Sequence, residues 1–345
     1  VEDTDRDTNT DTDTDTETDA DTDAKMRIGI DLGGTKIAAV VLDDHGREFW
    51  TERVATPRDD YAGTLQAIAA LVEAGERAAG EACTVGVGMP GAISPATGLV
   101  KNANSTWLNG RPFHQDLERA MGRTVRLAND ANCLAVSEAR DGAAAGADVV
   151  FAVILGTGVG GGLVVHGQVV TGANAIAGEW GHNPLPWPED DERPGPACYC
   201  GRFGCLETWL SGPGLSADFA RRGGASARAE DVVERATGAA GDRPFLGESG
   251  SRRPADPVAS ATLSAWESRL ARGLAHVINI VDPDVIVCGG GLSRVDRLYE
   301  RVPTAWGRWV FSDRVSTRLV PARFGDASGV RGAAWLWDRF PISHF

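Results

Sequence analysis

The sequence predicts an α/β protein of two similar lobes that face each other across a cleft. Strand-like runs alternate with helical ones along most of the chain, the pattern of layered α/β folds. A strand, a glycine turn and a second strand occur early, as RIGID, LGGTK and IAAVVLD over residues 27–43. The same arrangement returns midway, as VVFAVIL, GTGVGGG and LVVHGQVV over 149–170.

The other elements follow in order. Residues 62–80 have helical spacing and are rich in Ala and Leu. TVGVGM at 84–89 reads as a buried strand, stopped by Pro90-Gly91. VRLAND at 125–130 is a further strand, and its end sets Asp130 at the head of a helical stretch, ANCLAVSEAR. Open α/β sheets keep their chemistry at the carboxyl ends of strands. After a cysteine-rich loop the chain reads mostly helical. Residues 222–258, rich in Gly, Ala, Arg and Pro, are expected to include a mobile loop. LSAWESRLARGLAHVINIV at 263–281 is a long amphipathic helix that runs into a strand, DVIVCGGGLS. The predicted organisation is a disordered acidic tail over 1–25, a smaller lobe over 26–135, and a larger lobe over 136–327. The larger lobe carries the cysteine loop 182–205, and a C-terminal helix over 328–345 completes the smaller one.

With 345 residues, 42% of them hydrophobic, the chain can bury one large core or two modest ones. Its net charge of −14 is concentrated at one end. Residues 1–24, a near-perfect Asp-Thr repeat, hold eleven acids and one arginine, which leaves only −4 for the rest. Such a segment has little to bury and repels itself. No apolar run approaches the roughly 20 residues of a membrane span. The acidic N-terminus does not resemble a signal peptide, so a cytoplasmic location is expected. The absence of a basic patch argues against nucleic-acid binding.

Three glycine clusters point to phosphates. Asp31-Leu32-Gly33-Gly34-Thr35-Lys36 lies between two strands, so it is a hairpin and not a strand-to-helix P-loop. Its glycines admit an anion to backbone N–H groups, Thr35 adds a donor and Lys36 a positive charge. Asp31 is placed to hold magnesium. Taken alone, this could equally be a plain tight turn. The second cluster matches G-x-G-x-x-G at Gly156, Gly158 and Gly161, but strand-like sequence follows where a dinucleotide fingerprint needs a helix. A second phosphate hairpin, with Thr157, Gly158, Gly160, Gly161 and Gly162, is the better reading. Gly289, Gly290 and Gly291 end a strand, where bare backbone would let a flat adenine lie close.

Cys198, Cys200 and Cys205 put three soft ligands on one loop, with His182 upstream. Three Cys and one His form a closed, tetrahedral structural zinc site. Cys83, Cys133 and Cys288 lie in apolar stretches and read as core.

Together with NANSTWLNG at 102–110, GEWGHNPL at 178–185, CYCGRFGCLE at 198–207 and INIVDPDVIVCGGGLS at 278–293, these motifs resemble the ROK family of sugar kinases. The resemblance spans nearly all of residues 26–340. It implies the actin-like, ribonuclease-H-like ATPase fold, ATP and Mg²⁺ as reactants, a structural Zn²⁺ and a homodimer. Asp130 would be the catalytic base, against the alternative of a helix N-cap. Gly29, Asp31, Gly33, Gly34, Thr35, Lys36 and the second and third glycine clusters would bind ATP. Asn104, Asn129, Asp130, Glu179, His182 and Glu207 would bind sugar hydroxyls, with His182 also on zinc. Glu207 has the alternative of a solvated loop carboxylate. For Trp107 and Trp180, packing stands ahead of sugar stacking.

NANSTWLNG and GEWGHNPLPW are closer to the family's fructokinases than to its N-acetylglucosamine kinases. The latter would carry NVPAW- or NVPAA-like text at 104–108 and Phe in place of Trp180. Phosphorylation of D-fructose at O6 is therefore expected, with mannose or glucose as further substrates. An N-acetylhexosamine kinase or a glucokinase is the alternative. A sugar-sensing repressor is a distant one, since an acidic tail stands where a DNA-binding domain would be and DLGGTK and Asp130 are intact.

Overall fold

The structure, a computed structural model, describes residues 26–238 and 255–338. The acidic tail, the 239–254 part of the expected mobile loop and residues 339–345 of the expected C-terminal helix lie outside the described residues. Strands β1 (Met26–Leu32), β2 (Lys36–Asp43) and β3 (Glu48–Ala55) form an antiparallel meander. Helix α1 (Tyr61–Ala79) then leads to β4 (Thr84–Met89), which pairs parallel to β1. A two-stranded ladder of β5 (Ala92–Ile93) and β6 (Val100–Lys101) and helix α2 (Phe113–Met121) precede β7 (Arg126–Asn129), parallel to β4. The sheet order is β3-β2-β1-β4-β7.

Helix α3 (Asp130–Arg140) carries the chain to a second sheet. Here β8 (Val149–Leu155), β9 (Val159–Val165) and β10 (Gln168–Val169) again form an antiparallel meander. Helices α4 (Leu206–Leu210), α5 (Gly212–Arg221), α6 (Ala229–Thr237) and α7 (Pro257–Val281) follow. Then β11 (Val285–Gly289) pairs parallel to β8, and after α8 (Leu298–Trp306), β12 (Arg318–Pro321) pairs parallel to β11. The order β10-β9-β8-β11-β12 repeats that of the first sheet. The two lobes predicted from the repeated hairpins are thus two copies of one topology.

Helix α9 (Ser328–Ala334) returns to the first sheet. Gly29 of β1 and Gly86 of β4 are register partners beneath it. A Cβ on Gly29 would meet Val330 O at 2.0 Å, and one on Gly86 would meet Ala333 O at 1.9 Å. These glycines form a flat seat for a helix backbone. The expectation that Gly29 contacts ATP is corrected accordingly: α9 covers it.

The described residues form three apolar cores. One lies between the first sheet and α1 and α2, and a second between the second sheet and α4–α8. The third joins the lobes. There Leu134, Val136 and Ala139 of α3 and Val330 and Ala334 of α9 pack between Val40 of β2 and Val150 and Val287 of the second sheet. Helix α7 begins six residues before its predicted start, because Asp256 caps it through the amides of Val258 and Ala259 and Pro257 suits its first turn. Among the described residues, no helix is long and apolar enough to cross a membrane.

Candidate active site

Parallel pairing brings the first lobe's acids to one sheet edge. Asp31 pairs with Gly88, and Met89 with Asn129, so Asp31 and Asp130 emerge at the same carboxyl ends. Asn129 caps α3 by accepting from Ala131 N at 2.8 Å, and it donates from Nδ2 to Gly91 O at 3.2 Å. Asp130 is the first helical residue, so the cap alternative belongs to its neighbour. Its Oδ1 also accepts from Ala131 N at 2.8 Å.

Asp130 keeps an exposed face yet lies deep among protein atoms, as a group on the floor of a cleft does. Desolvation is the main cause that raises its pKa, to about 6, and the Asp31 and Glu179 carboxylates add to it. The Ala131 amide and the Asn129 side chain oppose the shift. Burial likewise raises Asp31, against the pull of Lys36 and Arg53. It also raises Glu179, which His182 lowers and Glu207 raises.

Each meander contributes a glycine turn. In the first, Gly33 N donates to Lys36 O at 3.0 Å, while Gly34, Thr35 and Lys36 are exposed. Thr56 braces this turn, donating from Oγ1 to Gly33 O at 2.7 Å. The second turn is shorter than expected, since β9 already begins at Val159 and only Gly156-Thr157-Gly158 form the bend. Gly160, Gly161 and Gly162 are strand residues that permit close packing. A Cβ on Gly161 would meet Trp180 Cδ1 at 2.7 Å, and one on Gly162 would meet Ala131 O at 2.5 Å. This packing sets the second turn beside the head of α3, next to Asp130. In the third cluster, Gly289 and Gly290 abut Leu134 and Leu155, and Gly291 faces open space.

On the sugar side, Glu207 is tied to the second turn, accepting from Val159 N at 3.0 Å, so it is not a free loop carboxylate. Asn104 is exposed beside buried Ala103. The sequence reading missed what holds it there. Asn109 accepts from Ala103 N at 2.9 Å and donates to Ala103 O at 2.8 Å, a local bracket typical of Asn at a turn before Gly. It also missed Lys101, which reaches across to the second lobe and donates to Asn174 O at 2.7 Å. Trp180 is core, packed edge-on against Phe151 with its Nε1 donating to Gly160 O at 3.0 Å. Trp107 packs on the first lobe's core.

His182, Cys198, Cys200 and Cys205 converge, their ligand atoms all within 4.8 Å of one another. His182 Nδ1 lies 3.5 Å from Cys198 Sγ, and Cys200 Sγ lies 3.6 Å from Cys205 Sγ. A tetrahedral zinc with Zn–S bonds of about 2.3 Å spaces its sulfurs by about 3.8 Å, so the donor set and its spacing fit that ion. The outer arm of this loop is anchored separately. Buried Glu192 accepts from Arg269 Nε and from both terminal nitrogens of Arg272, each at 2.7 Å. Arg269 also reaches Asp218 at 2.7 Å.

Asp31 and Glu179 thus lie near Asp130, and His182 and Glu207 near Glu179. The ROK family model matches residues 27–339. The chain belongs to the ROK family. It is 38% identical to the N-acetyl-D-glucosamine kinase of Yersinia pseudotuberculosis (strain IP 31758) over 315 residues, covering 90% of this chain and 98% of that protein. Identity to the Vibrio cholerae N-acetyl-D-glucosamine kinase is also 38%, over 90% of this chain and 99% of that one. The solved ROK hexokinase of Thermus thermophilus superposes with a TM-score of 0.76 at 31% identity, covering 90% of this chain and 97% of that one. A ROK glucokinase from Streptomyces griseus, solved with glucose and AMPPNP, gives 0.69 at 28% identity, over 90% and 98% of the two chains. The actin-like, two-lobed fold expected of this family member is the one observed.

Proposed function

We propose that this ROK chain is an ATP-dependent hexose kinase that phosphorylates the sugar's O6, with N-acetyl-D-glucosamine as its first candidate. The carrying observation is the place of Asp130, beside Asp31 at the carboxyl ends of parallel strands and next to Ala131, on which the strand from the second glycine turn packs. Burial there raises its carboxylate to about 6. A base of that pKa is ionised at neutral pH yet basic enough to accept a hydroxyl proton as the phosphoryl group arrives. The sugar follows the 38% identical relatives over 90% of the chain, which favour the acetylated sugar over the fructose expected from the motifs.

Phosphoryl transfer is mostly positioning and charge stabilisation. The exposed turn residues Gly34, Thr35 and Lys36, and Thr157 opposite, supply N–H groups, hydroxyls and a positive charge for the phosphates. Asn104, Glu179, His182 and Glu207 line the sugar side, where each buried hydroxyl needs a partner. Asp130 orients O6 and takes its proton. Asp31 is the residue to hold Mg²⁺, which when bound neutralises phosphate charge. His182, Cys198, Cys200 and Cys205 would hold a structural zinc that fixes the loop.

Fructose is the second reading, favoured by NANSTWLNG and by Trp180 in place of Phe. A coupled ADP-release assay over N-acetylglucosamine, glucose, mannose and fructose decides between them. The highest kcat/KM on the acetylated sugar supports the first reading, and the highest on fructose replaces it. No turnover on any hexose overturns the kinase reading.

A further inference from the structure

Between the first two cysteines of the loop stands Tyr199, and it is 80% exposed although Cys198 beside it is buried. Its hydroxyl lies 2.9 Å from His182 Nε2, and the two rings meet edge to face with centroids 5.1 Å apart. His182 Nδ1 faces Cys198 Sγ, so Nε2 is the imidazole atom outside the cysteine cluster, and Tyr199 engages it. Glu207 and Glu179 are near enough to act on the phenol electrostatically. Glu207 is bound to the second glycine turn, and Glu179 acts on Asp130. The phenol thus sits with His182, Glu179 and Glu207, the residues assigned above to the sugar.

The donor pattern gives this contact a direction. If Nδ1 is bound in the cysteine cluster, Nε2 carries the imidazole proton and donates it to the phenol oxygen. The phenol's own proton is then free for an acceptor in the cleft, a sugar hydroxyl or an acetamido carbonyl. The exposed ring suits the C–H face of a pyranose, an apolar surface with a polar tip.

We propose that Tyr199 is a sugar-contact residue that selects among hexoses, its hydroxyl relaying the His182 hydrogen bond to a substrate oxygen and its ring walling the site. This rests on the kinase reading above. Wild type, Tyr199→Phe and Tyr199→Ala are titrated calorimetrically with the four sugars without nucleotide, then assayed for KM and kcat, with zinc content measured in each. Tyr199→Phe should weaken the preferred sugar about three- to tenfold, the loss of one hydrogen bond. Tyr199→Ala should weaken it further and flatten the ranking of the four sugars. The KM for ATP and the zinc content should stay at wild-type levels, because the side chain is exposed and is not a ligand. Unchanged affinities and ranking in both variants, with an active wild type, overturn the role of Tyr199 alone. Zinc loss in both variants overturns it as well, by assigning Tyr199 to loop structure. A wild type that phosphorylates no hexose overturns the kinase reading and this one with it.

Discussion

A carboxylate in the first turn of a helix is ordinarily favoured by the helix dipole, yet Asp130 is shifted upward. Desolvation in the cleft and the neighbouring Asp31 and Glu179 outweigh the dipole and the Ala131 amide. Two predictions follow from the sign of that shift. The kcat/KM for sugar should fall about tenfold per pH unit below about 6 and level off above it. Asp130→Asn should remove turnover while sugar binding persists in calorimetry, and retained turnover would refute the base assignment. The same residue carries a stability cost. Because its folded pKa exceeds the unfolded 3.8, ionisation is penalised in the fold. The penalty is absent below the unfolded value, grows as pH rises toward the folded one and is complete above it. Asp130→Asn should therefore raise the melting temperature at pH 7.5 and leave it unchanged near pH 3.5. Thermal scans at the two pH values check this.

At the scale of elements, the cysteine loop has an ion-paired arm at Glu192 and a His/Cys cluster whose spacing fits zinc. Burial by itself would raise Glu192, but hydrogen bonds from Arg272, the Glu189 amide and Arg269 outweigh it and lower its pKa to about 2. Its folded pKa lies below the unfolded value, so its stabilisation is present above about 4.5 and is lost as pH falls toward 2. Glu192→Ala leaves Arg269 to Asp218 alone and Arg272 to the Trp187 carbonyl, both arginines 1% exposed, and should cost about 3 kcal/mol in urea unfolding at pH 7, the low end for breaking a buried pair. A loss under about 1 kcal/mol would show that the network adds little beyond neutral packing. The metal end is tested separately. Stripping metal with a chelator should raise the sugar KM more than the ATP KM, because His182 shares the loop with the cysteines while the glycine turns do not. Equal effects on both would place the ion's influence outside the sugar loop.

Over the whole molecule, the two lobes are joined where α3 and α9 cross. A Cβ on Gly332 would meet Cys133 O at 1.7 Å, so the helices touch backbone to backbone. At the other end of α3, buried Glu138 accepts from Ser328 Oγ and Ala143 N at 2.8 Å and from Arg323 N at 3.0 Å. That one carboxylate gathers the segment leaving α3 and the segment entering α9, the two crossings between lobes. Gly332→Ala should destabilise the protein by roughly 3 kcal/mol, the upper range for forcing atoms into a packed core. It should also depress turnover, because Asp130 rides on α3. Wild-type stability in urea would show that the crossing can open without cost.

The sequence by itself determined the repeated strand–turn–strand plan, the clustering of His182 with three cysteines, the place of Asp130 at the head of a helix and the family. These are local matters: alternation, turn chemistry and ligand spacing are written in consecutive residues. Tertiary structure alone decided the purpose of several glycines. Gly29, Gly86, Gly161, Gly162 and Gly332 look alike in sequence to a phosphate glycine. Which backbone passes over each of them depends on residues up to hundreds of positions away. The same holds for Lys101, Glu138, Glu192 and Tyr199, whose partners are set by the crossing of two lobes and the folding back of one loop. The burial that raises Asp130, and the nearness of Asp31 and Glu179 that adds to it, exist only once segments distant in sequence are folded together.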